Sequence, residues 1–165
     1  MSETTKQSCL LAVRLRGTVG DNPDVEKTLE SLTLLRVNQA RLLKNDSSTS
    51  GMLRAAKNLV AWGEIDSATL ESLLAKRAEA ETRTIILDRN FVKARFGKDG
   101  FAELASSIIA GETTLSELLR GGLKPRFRLH PPRGGFKRST RRAFSDGGEL
   151  GYRGAQINSL VRRMI

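Results

Sequence analysis

The chain has 165 residues, 39% of them hydrophobic, and a formal net charge of +10. That length allows one compact domain, alone or with extensions. The single cysteine, Cys9, excludes an intrachain disulfide and a multi-cysteine zinc site, and it favours a reducing compartment. The polar start and the strand-sized apolar runs predict neither a signal peptide nor a membrane span, so we expect a cytoplasmic protein.

The first 65 residues alternate strand and helix signals. Cys9, Leu11, Val13 and Leu15 share one face of a period-two run, which predicts a strand over Ser8 to Arg16. Asn22 and Pro23 are typical of a helix start. The pattern then predicts a strand at Arg36 to Leu43, a polar loop at Asn45 to Ser50, a helix over Met52 to Leu59 and a strand at Val60 to Trp62. This β-α-β-α-β order favours a small sheet with helices on one face.

Residues 66–122 are predominantly helical in pattern. Helices are predicted at Asp66 to Ala78, Arg89 to Phe96, Phe101 to Ile109 and Leu115 to Leu119, with a short strand at Thr84 to Leu87. Thr114 and Glu117 form a capping box for the last of these helices. We therefore divide the chain into a β-α-β-α-β core (1–65), a helical insertion packed on it (66–122) and a basic strand with a C-terminal extension (123–165).

Positive charge is concentrated near the C-terminus. The stretch from Lys124 to Arg163 has eleven basic and two acidic residues, so it holds +9 of the whole-chain +10. Pro125 to His130 predicts a strand with Phe127 on one face and a basic opposite face, which comprises Arg126, Arg128 and His130. A field this one-sided favours a polyanion as partner. A solvated basic tail is the alternative.

The segment His130 to Arg138 is the sharpest candidate for ligand contact. Its prolines hold the chain extended, and Gly134 and Gly135 let backbone amides approach a ligand closely. The cations that bracket this backbone suit phosphate, and Phe136 could stack on an unpaired base; these cations are Arg133, Lys137 and Arg138.

The residues after this segment extend the basic surface. They include Arg141, Arg142, Arg153, Arg162 and Arg163, and Ile157 to Ile165 could form a terminal helix. The glycines between them predict no hydrophobic core of this segment's own. We therefore expect residues 131–165 to be loosely ordered alone and to order on binding.

Other chemistries find little support in the sequence. His130 is the only histidine, which favours a structural role or a phosphate contact over a metal site. Cys9 on an apolar strand predicts a buried, inert thiol. The glycine-rich stretch lacks the Gly-Lys-Ser/Thr ending of a nucleotide-binding loop, and the sequence shows no acid/base or nucleophile pair. We therefore expect no enzymatic activity, cofactor, metal or small-molecule substrate. The same observations argue against an RNA-modifying enzyme.

The helix pair at 101–119 leaves one alternative function open. Followed by a basic strand, it could form a helix-turn-helix of a DNA-binding regulator. Against this, the second helix carries Glu117 with Arg120 as its one arginine, whereas a recognition helix presents more donors to a major groove. Two core-packing helices are favoured.

Several motifs in order resemble one family. They are Val13 to Gly17, Leu34 to Asn38, Gly51 to Leu53, Val60 to Glu64, Leu129 to Gly135, Gly147 to Gly151 and Gln156 to Met164. Together they resemble the archaeal and eukaryotic branch of a large-subunit ribosomal protein family, number thirty in the universal scheme and seven in eukaryotic naming. The match spans about the whole chain, and Thr84 to Ile109 agrees only in outline.

The resemblance implies an α+β fold: a two-layer β-α-β-α-β core with a mainly antiparallel, partly ferredoxin-like sheet. It also implies a structural, non-catalytic role in the ribosome, with large-subunit rRNA as the partner and other ribosomal proteins as possible neighbours. By position in the motifs, Pro132 to Gly135 is the expected RNA clamp, and Arg36, Asn38, Met52 and Arg54 are expected to face RNA. Shape and phosphate contacts should dominate over base sequence.

Overall fold

The computed structural model describes residues 9–82 and 87–165. The strands are β1 (Cys9–Arg14), β2 (Gln39–Lys44), β3 (Val60–Glu64), β4 (Glu79–Ala80), β5 (Leu123–Lys124), β6 (Arg126–Arg128), β7 (Ser139–Ala143) and β8 (Gly148–Tyr152). The helices are α1 (Pro23–Ser31), α2 (Ser47–Ala55), α3 (Ser67–Arg77), α4 (Arg89–Phe96), α5 (Phe101–Ala110), α6 (Leu115–Arg120) and α7 (Ile157–Met164).

One mixed sheet organises the described residues. Its strand order is β6-β2-β1-β3-β8-β7, and β4 pairs with β5 in a separate ribbon. β1 lies antiparallel to both β2 and β3, with Leu11 opposite Leu42 and Gly63. All six residues of β1 are buried, because helices cover both faces of the sheet.

The first face carries α1 and α2 and forms the predicted β-α-β-α-β unit. Leu29 of α1, Leu53 of α2 and Trp62 of β3 pack in one apolar cluster on this face. Asn22 caps α1 by accepting the backbone N–H of Asp24, and Pro23 occupies the first helical position, as predicted. The predicted α+β class with a mainly antiparallel sheet is confirmed.

The opposite face is covered by the helical insertion and by α7. Leu70 of α3, Leu104 of α5 and Leu118 of α6 pack against Leu11 and Phe127 in a second cluster. The predicted capping box is present, with the Thr114 hydroxyl accepting Glu117 N–H and the Glu117 carboxylate accepting Thr114 N–H. Cys9 is 4% exposed in this cluster, and burial raises the pKa of its thiol to about 12, consistent with an inert residue.

Two local predictions in the first half were wrong, and one lies outside the described residues. The segment predicted as a polar loop, Asn45 to Ser50, is mostly the first turn of α2, because Asp46 accepts Thr49 N–H and caps a helix that begins at Ser47. The strand predicted from Arg36 begins at Gln39, because Asn38 has a φ of 62° and ends a turn there. The strand predicted at Thr84 to Leu87 falls on residues 83–86, outside the described part of the chain, and Leu87 lies in no described strand.

The C-terminal segment differs most from expectation. Residues 131–165 were expected to be loosely ordered, but β8 lies parallel to β3, with Trp62 beside Tyr152, and α7 closes the second face. Ile157, Leu160 and Val161 of α7 are fully buried. The segment lacks a separate core, as predicted, but it uses the core of the sheet instead.

We predict that Gly63→Ala destabilises the fold. A Cβ at Gly63 would lie 2.0 Å from the carbonyl oxygen of Gly154, so the chain after β8 would have to move away from β3. The expected loss is about 1–3 kcal/mol in the free energy of unfolding, measured by denaturant titration. Gly51→Ala is the matched control, since nothing lies within 4 Å of that position in α2, and it should be neutral or slightly stabilising. Equal stability of the two variants would contradict the close β3–β8 approach.

Candidate nucleic-acid interface

The structure sorts most of the predicted contact residues into three places. We call them the β6 edge (Arg36, Asn38, Arg126 and Arg128), the α7 end (His130, Arg133, Gly134, Gly135, Arg162 and Arg163) and the β7 edge (Lys137, Arg138, Arg141 and Arg142). Arg54 is exposed on α2, apart from all three groups in the topology. The predicted residues therefore lie on several parts of the fold.

The two sheet edges are well separated. β6 and β7 are the first and last of six strands, and inter-strand spacings of about 4.8 Å place them roughly 24 Å apart. The segment from Leu129 to Arg138 connects them past the end of α7, where Arg133 N–H donates to Arg163 O at 2.9 Å. The basic stretch thus wraps the sheet from one edge to the other.

At the β6 edge, the arginines are held by one carboxylate. Glu79 lies 3.1 Å from Arg128 Nε and 3.7 Å from Arg126 Nη2. Arg126 is opposite Arg41 on β2, and burial, with the positive charge of Arg126, lowers the pKa of Arg41. Glu79 therefore offsets repulsion within this edge, and Arg128, with 64% of its side chain exposed, is the more available of the two.

The turn that precedes β2 is rigid and exposes Arg36. The buried Gln39 side chain accepts the backbone N–H groups of Leu35 (2.9 Å) and Arg36 (3.2 Å). Buried Arg14 donates to Leu34 O at 2.9 Å, and its own carbonyl accepts Asn38 N–H at 2.8 Å. The Arg36 side chain is exposed on this fixed backbone.

At the α7 end, hydrogen bonds connect residues 131–135, which we call the proline-glycine loop, to the C-terminus of the helix. His130 has Nδ1 2.7 Å from Pro131 O and Nε2 2.7 Å from Ile165 O, so both ring nitrogens have partners within the fold. Arg163 Nη1 donates to Gly135 O at 2.8 Å. Gly134 and Gly135 have φ of 76° and 73°, the left-handed conformation that glycine adopts without strain.

Three predicted contact residues at the α7 end, Arg162, Arg163 and His130, have side-chain partners within the fold. Arg162 pairs with Asp66 at 2.7 Å and donates to Thr69 Oγ1, which fastens α7 to α3. His130 holds the helix end, as described above. Arg133 at the same end is exposed, and the ion pairs found among the described residues do not include it.

The β7 edge carries the least neutralised charge of the described residues. Lys137, Arg138, Arg141 and Arg142 are all exposed, and no carboxylate of residues 9–82 or 87–165 lies within 4.0 Å of their charged nitrogens. β7 is also the outer strand, so one side of its backbone faces solvent.

A buried ion pair behind the β7 edge was missed in the sequence. Glu149 is 1% exposed and Arg153 is 8% exposed, and their carboxylate and guanidinium are paired. The other oxygen of Glu149 accepts the Arg138 backbone N–H at 3.0 Å. The sequence predicts Arg153 on the same basic surface as Arg141 and Arg142, but burial makes it unavailable to a ligand. The spacing of four residues between Glu149 and Arg153 is the sequence feature that could indicate this ion pair. The prediction that the segment has no core gives no reason to expect the pair to be buried.

One aromatic residue, Phe136, also differs from expectation. Phe136 was suggested as a base-stacking side chain, but it is half-buried and packs against the core cluster under α7. Trp62 is 9% exposed, consistent with core packing, and Tyr152 beside it is 56% exposed with its hydroxyl donating to Glu64 at 2.7 Å.

Other kinds of site are not evident in the described residues. Residues 9–82 and 87–165 hold no group of three or more His, Cys, Asp or Glu side chains arranged to bind a metal ion. None of the helices in this part of the chain has the length and apolar character needed to cross a membrane.

Comparison with known proteins identifies the family. A family model described as ribosomal protein L30p/L7e matches residues 10–60. Proteins named large ribosomal subunit protein uL30 are similar over nearly the whole chain. The protein from Korarchaeum cryptofilum is 44% identical over 153 residues, which is 93% of each chain. The chain belongs to the uL30 family.

Other members of the uL30 family agree with this assignment. The Thermofilum pendens protein is 46% identical over 156 residues, covering 94% of this chain and 97% of its own. The Methanobrevibacter smithii protein is 39% identical over 155 residues, covering 94% of this chain and 99% of its own. The similarity therefore extends through the helical insertion and the basic segment, beyond the 10–60 core. It gives no support to a DNA-binding regulator, and α5 of that helix pair turns Leu104 and Ile108 into the core.

We predict that Glu149→Gln strongly destabilises the protein. The change leaves the Arg153 charge buried without its counter-charge, and loss of one partner of a buried pair costs about 3–5 kcal/mol. The measurement is the free energy of unfolding in urea. Asp66→Asn is the control, because the Asp66–Arg162 pair is about half exposed and asparagine still caps α3, so the loss should stay below about 1 kcal/mol. Similar losses in both variants would show that the Glu149–Arg153 pair has no special structural role.

Proposed function

We propose that the protein is a structural constituent of the large ribosomal subunit, where it binds and stabilises large-subunit rRNA without catalysing a reaction. The observation that carries the proposal is membership of the uL30 family, whose members here are named as large ribosomal subunit proteins. The site of action is then the ribosome in the cytoplasm, with rRNA as the main partner and neighbouring ribosomal proteins as further ones.

The charge distribution supports rRNA as the partner. The stretch Lys124 to Arg163 holds nine of the ten net positive charges. A phosphate backbone is the polyanion that such a surface suits, and release of counterions from it supplies much of the binding free energy.

The strongest candidates for phosphate contacts are the exposed cations of the interface that form no ion pair with any described residue. They are Arg36, Arg54, Arg133, Lys137, Arg138, Arg141 and Arg142. Arg126, Arg128, Arg162 and Arg163 already have partners in the fold, so we propose that they combine a structural role with a weaker contact. Asn38, His130, Gly134 and Gly135 fix the backbone that presents these side chains.

The direct experiment is sedimentation of a tagged copy of the protein through a sucrose gradient of cell extract. The protein should migrate with the large ribosomal subunit and remain there in moderate salt. Recovery in the slowly sedimenting fractions, with the large subunits free of it, would overturn the proposed function.

We predict that Arg133→Ala combined with Lys137→Ala weakens binding to an rRNA fragment and leaves the melting temperature unchanged. Both side chains are exposed, and the hydrogen bond of the Arg133 backbone N–H to Arg163 O survives the change. The slope of log affinity against log salt should fall by about two.

The control for this variant removes the same charge elsewhere. Lys27→Ala with Lys76→Ala alters two exposed lysines on α1 and α3, outside the candidate interface, and should change the slope much less. A salt slope near zero for the unaltered protein would contradict the electrostatic mechanism. A matching loss of melting temperature in the first variant would place Arg133 and Lys137 in the folded core rather than at RNA.

A further inference from the structure

Arg138 is the one cation of the β7 edge whose guanidinium is fixed by an aromatic ring. Its Cζ lies over the Phe144 ring at 5.0 Å from the centroid. Its backbone N–H is held at 3.0 Å by Glu149, which is buried and paired with Arg153. The backbone N–H and the guanidinium of Arg138 thus each have a partner in the fold before any ligand binds.

The fold does not need this arginine to cover Phe144. The buried guanidinium of Arg153 lies over the same ring, 4.8 Å from its centroid. The two charges are therefore within about 10 Å of each other, and Glu149 is the counter-charge of Arg153. Arg153 is therefore neutralised, whereas Arg138 has no ion-pair partner among the described residues and is available to a ligand.

Arg138 is exposed, and one side of its guanidinium is covered by Phe144. Guanidinium planes stack on unpaired bases in RNA complexes, and a ring behind the guanidinium fixes its orientation. Lys137 and Arg141, which lie on either side of Arg138 in the chain, are exposed and form no ion pair within residues 9–82 and 87–165, so they can neutralise the phosphates of the same nucleotides. Phe136, the aromatic that the sequence suggested for stacking, is half-buried against the core.

We propose that Arg138, backed by Phe144, is a stacking site for an unpaired nucleobase of RNA. This inference rests on the proposed rRNA-binding function and adds to it a single-stranded element, such as a bulge or loop base, at the β7 edge. The other cations of that edge contact phosphates only, so Arg138 contributes a preference for unpaired over duplex RNA that they do not.

The test compares two RNAs that have the same number of phosphates. One is a hairpin with 2-aminopurine in its unpaired loop, and the other is a blunt duplex. Arg138→Lys keeps the charge and removes the planar group, so affinity for the hairpin should fall about tenfold while duplex affinity stays within about twofold. The fluorescence change of the loop 2-aminopurine on binding should also be lost.

Two further variants sharpen the result. Arg120→Lys makes the same chemical change at an exposed arginine of α6, outside the candidate interface, and should affect neither RNA. Phe144→Leu keeps an apolar side chain below Arg138 but removes the ring, and should reproduce the selective loss for the hairpin. Because Arg138→Lys changes an exposed side chain, its folding is not in question.

The outcomes separate this inference from the function on which it rests. Three results with salt-dependent binding of both RNAs overturn the stacking site and leave the rRNA-binding function standing. Arg138→Lys loses as much affinity for the duplex as for the hairpin, loses no more than Arg120→Lys, or loses none. Absence of salt-dependent binding to either RNA by the unaltered protein overturns both.

Discussion

The place of β8 between β3 and β7 is the constraint on which the basic half of the molecule depends. β8 extends the central sheet, and the buried Glu149–Arg153 pair fixes the chain on both sides of it. Glu149 holds the backbone before β7 through Arg138 N–H, and Arg153 N–H donates to Trp62 O on β3 at 2.8 Å. A buried charge is costly when its partner is missing, so both residues have to be in place together. We therefore expect the β7 edge and the core of the sheet to fold and unfold together.

α7 gives the same segment a second attachment. Asn158 is buried at the start of the helix, where its amide donates to Glu64 O and its carbonyl accepts Asp66 N–H, both at 3.0 Å. Leu160 and Val161 then pack under the sheet, and Arg162 binds Asp66 on the outside. A segment with little apolar residue content of its own is thereby held by the core of the preceding 120 residues.

The cations divide into those that hold the fold and those that are available. Arg14 and Arg153 are buried and bonded within the molecule, and Arg162 bridges two helices. Among the predicted contact residues, most cations without an ion pair in the described part of the chain lie at the β7 edge. The number of basic residues therefore overstates the size of the proposed RNA-binding surface. The fold leaves a smaller set of cations available, and their backbone is held in place. This backbone already has its folded conformation in the free protein, so we expect a lower entropic cost of binding RNA.

Much of the fold was predictable from the sequence, because periodicity and capping act locally. The strand at Cys9, the cap at Asn22 and the capping box at Thr114 each depend on residues a few positions apart, and the structure confirms them. The family motifs, which span the chain, indicated the family correctly. The start of α2 is harder to predict, because Asp46 and the serines after it are as typical of a polar loop as of a helix N-terminus.

The order of the C-terminal segment could not be predicted in the same way. β8 contributes few apolar side chains, and its stability comes from pairing with β3, ninety residues earlier in the chain, and from burial of Glu149 with Arg153. Local sequence patterns predict neither the β3–β8 pairing nor the burial of this ion pair. For the candidate interface, sequence reasoning identified the residue types, but the separation of β6 and β7 to opposite edges follows from strand order alone. The individual RNA contacts stay predictions.

Hydrogen exchange of the free protein, without RNA, tests most directly whether the basic segment is docked in advance. Amides of β8 and α7 should be protected to nearly the same degree as those of β1 and β3, because they belong to the same cooperative unit. Exchange of β8 and α7 at the rate of an unfolded chain, with protection gained only when RNA is added, would contradict a pre-formed interface.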